Sequence, residues 1–310
     1  MEDVFDLVII GGGPAGMTAG IYARRLGLKT LLVTKDFGGQ MARKVVAIEN
    51  YPGFDSISGS ELIERMKNQL LKNQTSVVLD EVVHLSKKGE FFLTTTKQNQ
   101  NFLSKTVIVA TGANPKPLLV EGERQFLGKG VSYCAICDAP LFREKQVVVV
   151  GGGNSGFESA IYLAKYAKKV YILEFGETVR ADFQNQQKAK ETGKVEVIIT
   201  AKIKKIEGKD FVEGIVFENW KEKKEYYLPV AGVFIEIGLQ PATSFLSQDL
   251  VEFNEKGEIV VEKETYQTKT PGLFAAGDCN VGKYKQIVIA CGEGAKAALA
   301  AYEFLQKRSN

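Results

Sequence analysis

The chain has 310 residues, 45% apolar and 25% charged, with a formal net charge of +3. This is room for two domains of ordinary size and the composition of a soluble globular protein. The small, mixed charge gives no footing for a nucleic-acid or membrane-surface function, and no apolar run approaches the ~18–20 residues of a membrane span. The acidic start, Met1-Glu2-Asp3, leads through an apolar run into glycines, as a first strand does and an export signal does not. The expectation is a cytoplasmic protein. Its four cysteines, Cys134, Cys137, Cys279 and Cys291, then stay in a reducing compartment, where a Cys-x-x-Cys pair is catalytic or metal-binding sooner than structural.

Residues 4–10 are apolar and β-branched, residues 11–16 read Gly-Gly-Gly-Pro-Ala-Gly, and residues 17–26 have a helical pattern. In that setting Gly11, Gly13, Pro14, Ala15 and Gly16 form a dinucleotide fingerprint: glycines permit the tight turn, and N–H groups at the helix start face a pyrophosphate. The same glycines would also serve a plain βα turn. Residues 29–33 form the next strand, but the acidic residue expected near its end for an adenosine ribose is not clear. Thr34, Lys35 and Asp36 stand there, so either Asp36 serves or the ribose is held otherwise. Gly38-Gly39-Gln40 is another glycine turn, and residues 48–53 form a turn that includes Asn50. Residues 60–71 predict an amphipathic helix with Ser60 standing before its apolar pattern as the cap. Residues 76–110 alternate as strands of a small antiparallel sheet would; His84, the single histidine, lies there and reads as structural or exposed. A buried strand then ends in Thr111-Gly112-Ala113, and Asn114-Pro115-Lys116-Pro117 breaks regular structure at a candidate domain crossing.

The stretch Cys134-Ala-Ile-Cys137-Asp138 follows. Two thiols with a carboxylate beside them suit thiol–disulfide exchange, because the thiolate is the attacking species and a nearby base helps to form it. A zinc half-site is the alternative, and it would need two more ligands from Cys279, Cys291 and His84. A strand at residues 146–150, the fingerprint Gly151, Gly153, Asn154, Ser155 and Gly156, a helix at 157–166 and a strand at 169–173 complete a second βαβ unit. Glu174 stands eighteen residues past Gly156, close to the ~20 at which a ribose-binding carboxylate is expected. Residues 195–237 give several strands with a turn at 208–210, and Gly238-Leu239-Gln240-Pro241 is a second candidate crossing. A short strand runs into Gly277-Asp278-Cys279, and residues 284–305 predict a long alanine-rich helix whose N-terminus suits an electron-rich ring edge. Cys279 and Cys291 read as packing residues.

Taken in order, these motifs resemble the low-molecular-weight thioredoxin reductases over the whole chain. That resemblance implies an α/β protein of two Rossmann-like three-layer domains. The FAD domain would comprise residues 1–116 and 242–310, with an NAD(P)H domain carrying the Cys-x-x-Cys inserted at 117–241. It implies FAD contacts from Gly39, Gln40, Asn50, Thr111, Gly112, Gly277, Asp278, Lys285, Gln286 and Ile287 in addition to the first fingerprint. Cys137 would be the thiol nearest the flavin, Cys134 the interchange thiol and Asp138 the acid/base. The resemblance also implies a homodimer, and an inserted domain that rotates about hinges at 114–117 and 238–241.

The second nucleotide site departs from the family's NADPH pattern. The basic run after the second strand is missing, and Leu173-Glu174-Phe175-Gly176-Glu177-Thr178-Val179-Arg180 keeps only Arg180. Glu174 can accept bonds from both ribose hydroxyls and would repel a 2′-phosphate, so NADH is expected over NADPH, with Arg180 left as a contact for the latter. This stretch, with Tyr284-Lys285-Gln286, is more similar to the flavoprotein subunit of alkyl hydroperoxide reductase, which carries an extra N-terminal thioredoxin-like part. A separate thioredoxin or glutaredoxin-like carrier is therefore the expected acceptor. The other readings are an NADH-dependent peroxiredoxin-system reductase or NADH oxidase, and, from a different class, a flavin redox sensor without turnover.

Overall fold

The structure is a computed structural model in which residues 4–43, 48 and 50–309 are described, without the side chains of Arg43, Ile136, Cys137 and Ser309. It divides into two compact units: residues 1–114 with 240–310, and residues 115–239 inserted between those segments.

The first unit starts with β1 (Phe5–Gly12), α1 (Pro14–Arg25) and β2 (Thr30–Phe37), with β1 and β2 parallel. Successive residues of β1 point to opposite faces. Leu7 and Ile9 enter a core with α1 side chains, while Val8 and Ile10 enter a second core beneath the sheet. A strand covered on both faces reads as a continuous apolar run, and each such side chain contributes on the order of 1.5–3 kcal/mol on burial. A helix, α2 (Gly59–Lys72), follows, capped by Ser58, whose Oγ accepts from Glu61 N at 3.2 Å. The expected cap, Ser60, is instead the second helical residue; both serines stand near the start, and only the backbone path decides between them.

The strands β3 (Ser76–Leu79), β4 (Val82–Lys88), β5 (Phe91–Thr96) and β6 (Asn101–Val109) do not make a separate small sheet, contrary to the expectation from their alternation. They belong to the fingerprint sheet: β3 pairs parallel with β2, β6 pairs parallel with β1, and β5 and β4 extend it antiparallel. Alternating exposure announces half-covered strands, but it does not say which sheet they join. His84 lies exposed on β4. The chain then leaves through β7 (Ala113–Pro115).

The second unit opens with β8 (Val131–Ser132) and α3 (Ala135–Asp138), followed by β9 (Gln146–Val150), α4 (Asn154–Leu163), β10 (Lys169–Leu173), α5 (Phe183–Glu191) and β11 (Val195–Ile198). Three antiparallel strands follow, β12 (Ala201–Gly208), β13 (Val212–Asn219) and β14 (Lys224–Pro229), before β15 (Gly232–Ile235) returns. The parallel sheet has the order β11-β10-β9-β15-β8. In β9 Val147 and Val149 pack on the helix face, and Val148 and Val150 pack on the face covered by β12 and β13 residues. The helix α4 starts at Asn154, three residues before its expected start, directly on the glycine turn.

The return strand β16 (Leu239–Pro241) pairs with β7, and β17 (Leu273–Ala275) then adds to β6 in the first sheet. The last helix, α6 (Ile287–Ser309), begins at Ile287 rather than at Tyr284. The preceding Lys285 is drawn aside by contacts to loop carbonyls and to Glu258. No helix among the described residues is long and apolar enough to cross a membrane.

Candidate active site

Each unit repeats one strand–turn–helix geometry. Gly11 and Gly151 have φ of +114° and +121°, which favours glycine, and a Cβ on either would lie 2.4 Å and 2.3 Å from the carbonyl oxygens of Ala110 and Glu236. One helical turn later, a Cβ on Gly16 or Gly156 would lie 1.9 Å from the carbonyl oxygen of Gly11 or Gly151. The helix start is thereby pressed against its own glycine turn. Neither α1 nor α4 has a side-chain N-cap, and the space beside Gly153 is open, as is that beside Gly13. Two helix starts with uncapped N–H groups and room before them fit two pyrophosphates.

The motif residues of the first unit converge from distant parts of the chain. Gln40 donates Nε2–H to Asp278 Oδ2 at 2.8 Å, and Asn50 donates Nδ2–H to Gln286 Oε1 at 3.2 Å. Thr111 presents a buried hydroxyl with no partner among the described residues, and Gly112, at φ +64°, has open space beside it. A buried, unsatisfied hydroxyl in this position calls for a ligand atom. Together with the open glycines and the polar Gln40–Asp278 pair, it fits FAD. Asp36 is exposed at the end of β2, where its carbonyl accepts from Thr34 Oγ1.

Two carboxylates that the motifs do not include organise this unit. Glu293 on α6 is buried and accepts from Gly277 N at 2.7 Å and from Asn280 Nδ2 at 2.6 Å. Burial raises its pKa, against the lowering effect of those two bonds. Glu258 pairs with Lys285 at 3.0 Å, so Lys285 is anchored to protein. Glu293 had one visible signal: a lone charge between glycines in an otherwise apolar, alanine-rich run. Ile287 is the first residue of α6.

Cys279 is fully buried, with Sγ 3.4 Å from Ala276 O and 3.5 Å from Val109 O. Burial pushes its thiol up to about 11, so it stays protonated and unreactive near neutrality. Iodoacetamide at pH 8 is expected to leave Cys279 unmodified in the native protein and to label it after unfolding, as read by mass spectrometry. Cys291 sits 3.8 Å from Tyr51 Oη and 3.9 Å from Pro14 O, and burial together with that thiol pushes the Tyr51 phenol up to about 12.

In the second unit Glu174 ends β10 almost wholly buried, at 5% exposure. Its Oε2 accepts from Gly152 N at 2.6 Å and its Oε1 from Gly176 N at 2.7 Å. The carboxylate thus braces the fingerprint turn as well as standing where a ribose would bind. Phe175 is exposed beside it, 6.0 Å from the Trp220 ring, and its carbonyl accepts from Trp220 Nε1 at 2.7 Å. Asn154 Oδ1 accepts from Asp182 N at 2.7 Å, tying the start of α4 to that of α5, while Ser155 and Arg180 are exposed.

Cys134 is disulfide-bonded and half-buried at the start of α3. Its N–H donates to Ser132 Oγ at 2.9 Å, and its carbonyl accepts from Asp138 N at 3.3 Å. Asp138 is half-buried at the end of the same short helix, and the Cys137 side chain lies outside the described residues. Cys279 and Cys291 are free thiols, and no cluster of three or more metal-ligating residues occurs among the described residues.

Comparison with known proteins adds the lineage. Residues 5–294 match the family model described as pyridine nucleotide-disulphide oxidoreductase. The chain is 40% identical over 305 residues to an NADH dehydrogenase of Bacillus subtilis and 39% identical to a subunit of alkyl hydroperoxide reductase of Staphylococcus aureus. Each match takes in 98% of this chain but only 59% and 60% of those proteins, so the chain spans about three fifths of their length. Thioredoxin reductase of Lactococcus lactis superposes with a TM-score of 0.91 at 37% identity, covering 98% of this chain and 99% of that one.

Proposed function

The chain belongs to the pyridine nucleotide-disulphide oxidoreductase family, and from that premise we propose that it is an FAD-dependent reductase of protein disulfides, driven by NADH. The observation that carries the reading is the disulfide-bonded Cys134 beside Asp138, on the same compact unit as the second fingerprint. FAD, when bound, supplies a carrier that takes a hydride's electron pair from a nicotinamide and passes it to a disulfide.

The roles of the chain's residues follow. Gly11, Gly13, Pro14, Ala15 and Gly16 offer main-chain N–H groups and space for the FAD pyrophosphate. Thr111, Gly112, Gly39, Gln40, Asp278, Asn50, Lys285, Gln286 and Ile287 surround its remaining polar atoms. Gly151, Gly153, Asn154 and Ser155 do the same for the nicotinamide nucleotide, with Glu174 on its ribose. Reduction of a Cys134–Cys137 disulfide adds two electrons and two protons and leaves two thiols. Cys134 then attacks the partner's disulfide as thiolate, one partner sulfur leaves as a thiol, and Cys137 resolves the mixed disulfide. Asp138 moves the proton between solvent and the attacking or leaving sulfur. The domains that act are residues 1–116 with 242–310 for FAD and 117–241 for the nucleotide and dithiol. The proposed acceptor is a thioredoxin or glutaredoxin-like carrier, and the proposed assembly is a cytoplasmic homodimer.

NADH preference rests on Glu174. Main-chain donors hold its carboxylate anionic at the ribose end of β10, where a 2′-phosphate would meet like charge, and exposed Phe175 follows in place of a cation. The expected kcat/KM for NADH exceeds that for NADPH by at least about tenfold, or about 1.4 kcal/mol. Equal efficiency, or NADPH ahead, would remove Glu174 from that role. The similarity to a subunit of alkyl hydroperoxide reductase supports a second reading, a reductase feeding a peroxiredoxin. Rates with a thioredoxin, a glutaredoxin-like protein and a peroxiredoxin as acceptors, measured side by side, separate the two.

A further inference from the structure

We propose that Glu123 and Tyr133 form a positioning pair that fixes the backbone at Cys134 and ties it to the segment through which the chain enters the second unit. The proposal rests on the reading of Cys134 as the interchange thiol. Glu123 is only 3% exposed. A carboxylate at that depth costs several kcal/mol unless donors surround it, and it has no place in either nucleotide site. Three donors meet it: Leu118 N on Oε1 at 2.8 Å, Leu119 N on Oε2 at 2.6 Å, and the Tyr133 hydroxyl on Oε1 at 2.5 Å. Two of them lie just past the boundary at Pro115, and the third comes from the residue before Cys134. Leu119 is held at φ +61°, a conformation that a leucine keeps only when its surroundings impose it.

Around Cys134 the chain is gripped from both faces of the sheet. Tyr133 packs against the core beneath the sheet, and Ala135 is buried in the core on the helix side. Ser132 Oγ accepts from Cys134 N. Burial, with Glu123 beside it, holds the Tyr133 phenol protonated far above its ordinary range, so it remains a donor at every working pH. Without that hydroxyl the ring keeps its packing but loses its fixed point, and the attack geometry of the sulfur loosens. Misplacement by a fraction of an ångström is enough to slow exchange about tenfold.

The test uses the full-length, FAD-loaded protein carrying Tyr133→Phe or Glu123→Gln. Two acceptors are compared under NADH: an aromatic disulfide such as dithiobis(nitrobenzoate), which needs the dithiol, and ferricyanide, which takes electrons from reduced flavin without it. Tyr133→Phe is expected to lower kcat/KM for the disulfide about tenfold. FAD content, the ferricyanide rate and kcat/KM for NADH stay at wild-type values. Glu123→Gln does at least as much, and the double variant adds nothing beyond Glu123→Gln, because both act through one contact. Should Glu123→Gln fail to fold, Tyr133→Phe decides alone. The pair is only structural, and the proposal wrong, if Tyr133→Phe lowers the melting temperature with the disulfide rate intact, or if both acceptor rates fall by one factor. Cys134→Ser separates the two levels. If it still reduces the disulfide, the reading of Cys134 fails; if it is inactive while Tyr133→Phe is normal, only the positioning pair fails.

Discussion

Cys134→Ser is expected to lower NADH-driven reduction of a protein disulfide at least about a thousandfold, or about 4 kcal/mol of barrier. The NADH–ferricyanide rate and the yellow colour of the protein should survive, because the substitution removes one sulfur from a half-buried helix start and touches no residue of the first unit. Serine cannot form the mixed disulfide, and no free thiol replaces it: Cys279 is buried and held protonated by that burial, and Cys291 belongs to the other unit. Parallel steady-state assays with the two acceptors check this. A residual disulfide rate within tenfold of wild type would mean that exchange runs through another sulfur.

Gly156→Ala and Gly16→Ala are expected to separate the two nucleotide functions. Either Cβ would stand 1.9 Å from a carbonyl oxygen of the same glycine turn, a distance that forces helix and turn apart. In each case the N–H groups that face a pyrophosphate move with the helix start. Gly156→Ala should leave a yellow protein whose flavin NADH no longer reduces at concentrations about a hundredfold above those that suffice for wild type, a loss of about 2.7 kcal/mol. Gly16→Ala should purify colourless, with the second unit still folded. Flavin absorbance of the purified proteins and titration with NADH read both effects. A colourless Gly156→Ala with a yellow Gly16→Ala would reverse the assignment of the fingerprints.

The two βαβ fingerprints were legible because each packs its meaning into a short, contiguous stretch. Strand, glycine turn and helix follow one another, and Glu174 closes the second unit at the expected spacing. What escaped was set by partners far along the chain. Glu293 reads as a surface charge until α6 brings it to Gly277 and Asn280. Glu123 sits in Glu-Gly-Glu-Arg, which looks like any solvated run, and only the fold buries it under Leu118, Leu119 and Tyr133. Periodicity likewise identified β3 to β6 as strands but could not show that β6 lies against β1, because pairing is a long-range choice. At Glu174 the residue was found but half its work was missed: its oxygens bind the N–H groups of Gly152 and Gly176, so the ribose site and the fingerprint turn are one hydrogen-bonded unit.

Anaerobic titration of the purified, FAD-loaded protein with NADH, with thiols counted as the flavin bleaches, tests the electron path most directly. A flavin and a redox-active disulfide in series take up two equivalents of NADH per chain, one for each centre, and two new alkylatable thiols appear at Cys134 and Cys137. Cys134→Ser should consume one equivalent and gain none. Full bleaching of the wild-type protein at one equivalent, with no new thiol, would contradict a path through the Cys134–Cys137 disulfide.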